Sequence, residues 1–254
     1  AQLPRPPDPN RFKLGYHFEH LVNAWAGQNE TVEPLARNLQ VVEDKRTLGE
    51  FDLLLRRNKI VEHWELAVKF YIGVGDLADP SRWFGPNTAD RLDIKFGRMT
   101  SHQLQLSKFP AAKKLLGERN LAVSKIVAMV KGRLFYPWDV YATGRFTPPP
   151  FVADTHERGW WLQASALQKL ADPDWRYVAL PKSLWLAPIA PPDDVNLMDF
   201  EQLSRLVFDP SMQPCIHIAI VDKSGSELSR GFINHPRWLS STNRPSQSTS
   251  AQPP

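Results

Sequence analysis

Two acids and a lysine stand in a short stretch of this chain, on two runs that read as a hairpin carrying them into a sheet. They are Asp52 in Gly-Glu-Phe-Asp-Leu-Leu-Leu, and Glu65 and Lys69 in Glu-His-Trp-Glu-Leu-Ala-Val-Lys. Between the two runs lies Arg56-Arg57-Asn58-Lys59. Both runs are rich in strand-forming residues, and Asn58-Lys59 suits a two-residue hairpin turn because Asn tolerates positive φ. Pairing Arg57 with Ile60 then brings Asp52 opposite Glu65 on one face of the hairpin. Carboxylates held about 5 Å apart repel unless a positive group sits between them. A divalent cation is the natural partner.

The elements around this hairpin must carry the rest of such a site. Residues 1–10, with prolines at 4, 6, 7 and 9, read as an extended lead-in. Residues 12–25 place Leu14, Phe18, Leu21, Val22 and Trp25 at helical spacing, with Glu19 among them. A strand is expected over 39–44, ahead of the hairpin. A loop marked by Asp79-Pro80 and Gly85-Pro86 follows it, then a helix or helix pair over 90–107 and a strand over 122–136. Pro137 and Pro148-Pro149-Pro150 mark a change of style. Beyond them come six of the nine tryptophans and strand-like pieces at 177–180, 184–188 and 216–221, the last joined to 227–233 by Asp222-Lys223-Ser224-Gly225. Residues from 240 on are Ser, Thr, Gln and Pro, a composition that forms no core. The expected division is a lead-in over 1–10, an α/β core over 11–136, a β-rich region over 137–239 and a disordered tail over 240–254.

Composition sets outer bounds. A chain of 254 residues with 42% apolar content can bury a full core. The net charge of +4 permits a polyanionic partner without requiring one, since the 31 basic residues are dispersed. Cys215 is the only cysteine, which excludes an intrachain disulfide and a cysteine-based zinc site and fits a reducing, cytoplasmic setting. No apolar run reaches the ~18 to 20 residues that span a bilayer, so no membrane partner is expected. No secretory signal is visible, although the first residue is Ala1 rather than methionine.

A helix acid, a strand Asp, and a Glu followed by a lysine on the next strand together resemble the PD-(D/E)XK nuclease superfamily over residues 12–110. That resemblance implies a restriction-endonuclease-like α/β core, a central mixed sheet flanked by helices, with a Trp/Pro-rich, mainly β part appended. It implies a metal-dependent phosphodiesterase acting on nucleic acid, DNA in preference to RNA, with Mg²⁺ or Mn²⁺ as cofactor. Asp52 and Glu65 would be metal ligands, and Glu19 would hold a second ion or a water ligand. Lys69 would orient the attacking water. The superfamily's lysine stands two residues after its Glu, where this chain has Ala67. Lys69 shares the strand face of Glu65 but lies about 7 Å further along, a gap that a β-bulge or the long lysine stem would have to close. A resemblance to a family of uncharacterised bacterial proteins spans most of the chain, carried by Tyr-His-Phe-Glu, Thr-Leu-Gly-Glu-Phe-Asp and Glu-Leu-Ala-Val-Lys-Phe-Tyr. It implies no activity.

Each residue also has a plainer reading. Glu65 and Lys69, four apart, would make an ordinary ion pair on a helix, and Asp52 could simply pair with Arg46 or Arg56. Glu19 could be a solvated helix acid. Glu50, on the face of Asp52, could serve as a substitute ligand. Gln103 and Gln105 resemble a glutamine that follows the lysine strand in these nucleases; the favoured reading of both, with His102, is polar helix surface. His17, His20 and His63 lack a metalloprotease spacing. The late tryptophans could stack on bases or fill a core, and the adjacent Trp160-Trp161 is the pair expected to leave one ring exposed. A protein-interaction or nucleic-acid-binding module on a degenerate nuclease-like fold, without catalysis, stands as the alternative function.

Overall fold

The structure, a computed structural model, describes residues 13–190 and 195–238. The expected lead-in, the tail from 240 and Phe12 lie outside the described residues. The fold is mixed α/β, a nine-stranded mixed sheet flanked by helices.

Helix α1 (Leu14–Gln28) buries Phe18 and Val22 of the expected stripe, together with Asn23 and Ala26. Leu14 and Leu21 are half-buried, and Trp25, expected on the same face, is exposed and stacks on Trp64. Three antiparallel strands follow: β1 (Val32–Glu43), β2 (Arg46–Arg57) and β3 (Ile60–Gly73). Both connections are two-residue turns with positive φ at each residue, Asp44-Lys45 at 47° and 64°, and Asn58-Lys59 at 50° and 67°. That geometry matches the right-handed twist of the flanking strands. The second turn sets the register expected from the sequence, with Arg57 facing Ile60 and Leu53 facing Trp64. Strand β1 starts seven residues before the expected 39, despite Pro34. It is the sheet's edge, where a missing N–H is tolerated, and its register shifts beside that proline.

Strand β4 (Trp83–Phe84) adds to the end of β3. The chain then crosses over through α2 (Leu92–Ser101), a 3-10 segment (Gln103–Lys108) and α3 (Pro110–Glu118) to β5 (Val123–Pro137), which pairs parallel with β3. A parallel pair needs such a crossover. The helix expected to run to 107 stops at Ser101, and the rest tightens into 3-10 turns that insert Leu106 into the core. Phe51, Leu53, Leu54 and Leu55 are all fully buried because both faces of β2 are covered. Leu53 and Leu55 pack under α1, and Phe51 and Leu54 under α3 and Leu106. Residues three apart, such as 51 and 54, share no face of a regular pleat. The alternation therefore slips at Asp52.

The later strands continue the same sheet. After α4 (Trp138–Thr143), β6 (Glu157–Gln163) pairs parallel with β5 and with β9 (Glu227–Asn234), and β8 (Cys215–Val221) and β7 (Arg176–Ala179) complete an antiparallel wing beside α5 (Phe200–Val207). The expected exposure of Trp160 or Trp161 does not occur. β6 lies between two strands with both faces covered, and the two rings enter different core clusters at 0% and 9% exposure. The strand expected over 184–188 is also absent. The carbonyls of Leu184, Trp185 and Ala187 accept from the guanidinium of buried Arg230 at 3.3, 2.9 and 2.7 Å, so a cation satisfies them in place of a strand ladder.

Candidate active site

The β2–β3 ladder ends at Leu53 and Trp64, one residue before Asp52 and Glu65. From there the strands part, and Asp52 Oδ2 accepts the backbone N–H of Leu66 at 2.7 Å, doing with a side chain what a ladder carbonyl does elsewhere. The two acids expected to face each other thus stand at the mouth of a fork. β3 carries on into the sheet on β5, while β2 bends towards β1.

Four acids influence one another here. Glu65, 3% exposed, is pushed up to about 8 by burial first, then by the charges of Asp52, Glu19 and Glu50. Burial raises Asp52 to about 6 against the lowering effect of the Leu66 N–H, with Glu19 and Glu50 adding repulsion. Glu19, reaching in from α1, is raised chiefly by burial. Glu65 Oε1 accepts from Gln103 Nε2 at 2.5 Å, whereas its Oε2 is buried with no hydrogen-bond partner. Such an orphaned carboxylate oxygen costs on the order of 1–3 kcal/mol or more.

The residues expected at the site divide into those that converge and those that do not. Asp52, Glu65, Glu19, Glu50 and Gln103 converge. Glu50 faces no residue of β3, since the ladder has ended; it accepts from Asn38 Nδ2 at 2.9 Å. Gln105 turns back to the carbonyl of Thr100 at 3.2 Å, and the ring of His102 packs edge-on against Phe109. Those two belong to the local architecture of the 3-10 segment rather than to the acids.

Lys69 is the consequential departure. The β3–β5 register runs unbroken from Glu65–Ala128 to Lys69–Gly132, so no bulge brings the lysine back towards Glu65. Its ammonium lies 3.7 Å from Asp90 Oδ2, and the other oxygen of Asp90 accepts from Tyr71 Oη at 3.1 Å. Burial lowers the Lys69 pKa, with Asp90 opposing that shift and Lys95 assisting it. Gly132 has φ of 132°, and a side chain there would start 1.7 Å from the Lys69 carbonyl oxygen. The strand contact beneath the lysine therefore requires glycine.

Two participants were not legible. Asn38, at φ 47° within β1, has an amide that binds Glu50 and also reaches Glu19, tying the edge strand to the helix acid. An Asn-tolerant positive φ inside a strand is visible only once the strand is known. His63 is fully buried, rests edge-on against Phe51, and its Nε2 lies 3.9 Å from Glu65 Oε2. Neither ring nitrogen has a hydrogen-bond partner, and burial lowers its pKa to about 4.

Among the described residues, no three His, Cys, Asp or Glu side chains are gathered closely enough to hold a metal ion by themselves. Mg²⁺ is commonly held by one or two carboxylates, the remaining positions going to water and substrate phosphate. Asp52 and Glu65 match that smaller requirement, and the Glu65 oxygen without a hydrogen-bond partner is a buried oxygen donor that an ion could engage by displacing the proton the group otherwise holds. Among the described residues no helix is long and apolar enough to cross a membrane.

A family model described as "Domain of unknown function (DUF1853)" matches residues 5–233. No curated protein and no solved structure matches the chain.

Proposed function

We propose that this chain, which belongs to the DUF1853 family of domains of unknown function, is a Mg²⁺- or Mn²⁺-dependent phosphodiesterase that cleaves nucleic acid, DNA in preference to RNA, on a restriction-endonuclease-like core. The observation that carries the reading is the convergence of Asp52 and Glu65 where β2 and β3 part, with Glu19 and Glu50 close enough to raise both. A buried group of like charges with an unpartnered oxygen is costly unless a cation or protons neutralise it. The order of elements also fits: one helix, three antiparallel strands, a helical crossover and a parallel strand.

In this reading Asp52 and Glu65 would hold a divalent ion, which when bound would supply an acidified water and charge neutralisation at the scissile phosphate. Gln103 would orient Glu65, and Glu19 with Asn38 would close the helix side of the site. Lys69 reaches a substrate phosphate or the attacking water only by leaving Asp90, which its four-carbon stem permits. The pairing of Lys69 with Asp90 is also the observation that favours the second reading, a nucleic-acid-binding or protein-interaction module without catalysis on the same fold.

Purified protein with Mn²⁺ should cleave members of a mixed panel of single- and double-stranded DNA and RNA. Asp52→Ala should reduce the rate by at least ~100-fold, the scale of removing a metal ligand or a key electrostatic donor. Lys69→Ala should do likewise. Metal-independent binding with no cleavage of any substrate would instead establish the second reading.

Metal affinity should depend on pH with a defined sign. Asp52 and Glu65 release protons near pH 6 and 8, and an ion must displace any proton still held. Mn²⁺ affinity measured by calorimetry is therefore expected to climb from pH 6 to pH 8, by up to about tenfold per pH unit while one proton is displaced. A flat profile would place the ion elsewhere.

A further inference from the structure

We infer that His63 is a positioning residue for Glu65: its imidazole Nε2–H is the donor that completes the carboxylate's hydrogen bonding when Glu65 takes up a divalent cation. The inference rests on the metal-dependent reading above. Its basis is two buried groups, each lacking what the other can supply. Glu65 Oε2 accepts no hydrogen bond, neither nitrogen of His63 makes one, and the facing atoms are 3.9 Å apart. Native interiors rarely leave two complementary polar groups unsatisfied side by side. A shift of about 1 Å closes the gap to hydrogen-bond length.

The surroundings restrict what else His63 can do. It sits on β3 between Leu54 and Ile126 in register, with the Phe51 ring edge-on at 4.7 Å between centroids. At 0% exposure it meets neither solvent nor a substrate. With its proton on Nε2 the ring presents an N–H towards Glu65 Oε2, the carboxylate oxygen 3.9 Å away. Gln103 already donates to Oε1. With both donors in place, each carboxylate oxygen is fixed by one bond and keeps a free lone pair for the ion, the arrangement by which outer groups orient metal-ligating carboxylates. A histidine kept only for packing would have no need of ring nitrogens here.

The test compares wild type, His63→Leu and His63→Gln by Mn²⁺ calorimetry and by thermal unfolding without metal. Loss of the donor in His63→Leu should weaken Mn²⁺ affinity 10- to 100-fold, the usual cost of losing such an outer-shell partner. His63→Gln, whose Nε2 amide can occupy a similar place, should keep the affinity within about threefold. The midpoint of His63→Leu without metal should stay level or rise, because an unsatisfied polar ring has been replaced by an apolar side chain. Should His63→Leu fail to unfold cooperatively, His63→Met provides the donor-free comparison in a more adaptable shape. Wild-type Mn²⁺ binding with unchanged affinity in the donor-free variant overturns this inference alone. No Mn²⁺ binding by wild type overturns the metal-dependent reading and the inference with it.

Discussion

Glu65→Gln is expected to make the metal-free protein more stable at alkaline pH while abolishing Mn²⁺ binding and cleavage. The sign follows from proton linkage. Glu65 has its pKa raised from 4.5 to about 8 in the folded state, so between these values the folded chain holds a proton that the unfolded chain has released. Stability supplied by that proton is full below pH 4.5 and drains away as pH rises to 8. The loss is at most about 1.4 kcal/mol per pH unit across that window. Gln cannot ionise, and its carbonyl oxygen can still accept from Gln103. The variant should therefore unfold at nearly the same denaturant concentration as wild type at pH 4.5 and gain on the order of 3 kcal/mol by pH 8.5, once relaxation around the charge is allowed for. Mn²⁺ should raise the wild-type midpoint at pH 8 through binding to the native state, and leave that of Glu65→Gln unmoved. Urea titrations at two pH values with and without Mn²⁺ decide the matter. A Glu65→Gln variant less stable than wild type at pH 8.5 would refute the claim that the acid group is strained.

Arg230→Met should cost about 3–5 kcal/mol, the penalty of breaking a buried ion pair from one side. Arg230 is 1% exposed and binds both oxygens of Glu227 while donating to the carbonyls of Leu184, Trp185 and Ala187. Glu227 Oε2 in turn accepts the backbone N–H of Ile189 at 2.8 Å. One guanidinium thus holds a hairpin strand to a segment without a ladder of its own. Removing it leaves a buried carboxylate and three carbonyls to find water. The double variant Arg230→Met/Glu227→Gln should recover part of the loss by removing the uncompensated charge, yet not all, because the three carbonyls stay without their donor. Equilibrium urea unfolding of the two variants checks this, and a loss below about 1 kcal/mol in the single variant would show that water replaces the guanidinium without difficulty.

The two perturbations separate the functions of charge in this fold. At the Asp52–Glu65 fork, acids crowd together without a countercharge, and ionising them is expected to weaken the fold. At Arg230, unlike charges are matched and hold a loop. The opposite signs expected for the two variants distinguish a group of acids without a countercharge from an ion pair already matched.

The local features of this protein were written in its sequence. The spacing of Phe18 and Val22 gave α1, the Asn58-Lys59 turn set the β2–β3 register, and Asp222-Lys223-Ser224-Gly225 joined β8 to β9, because turns and periodicity depend on residues near one another. Asp52 and Glu65 could accordingly be brought together from the hairpin alone. What neighbouring strands decide could not be read that way. Whether Trp160 and Trp161 face solvent depends on β5 and β9 flanking them, and the segment at 184–188 loses its strand to a guanidinium more than forty residues later. Gln103 meets Glu65 across 38 residues through a helix break that periodicity does not foresee. Above all, the unbroken β3–β5 register and Asp90 determine where Lys69 lies, four residues along β3 from Glu65 and paired away from the acids. Sequence determined that two acids meet at a hairpin; tertiary structure decided how deeply they are buried and what the lysine binds, because burial and long-range pairing belong to the assembled sheet rather than to any one strand.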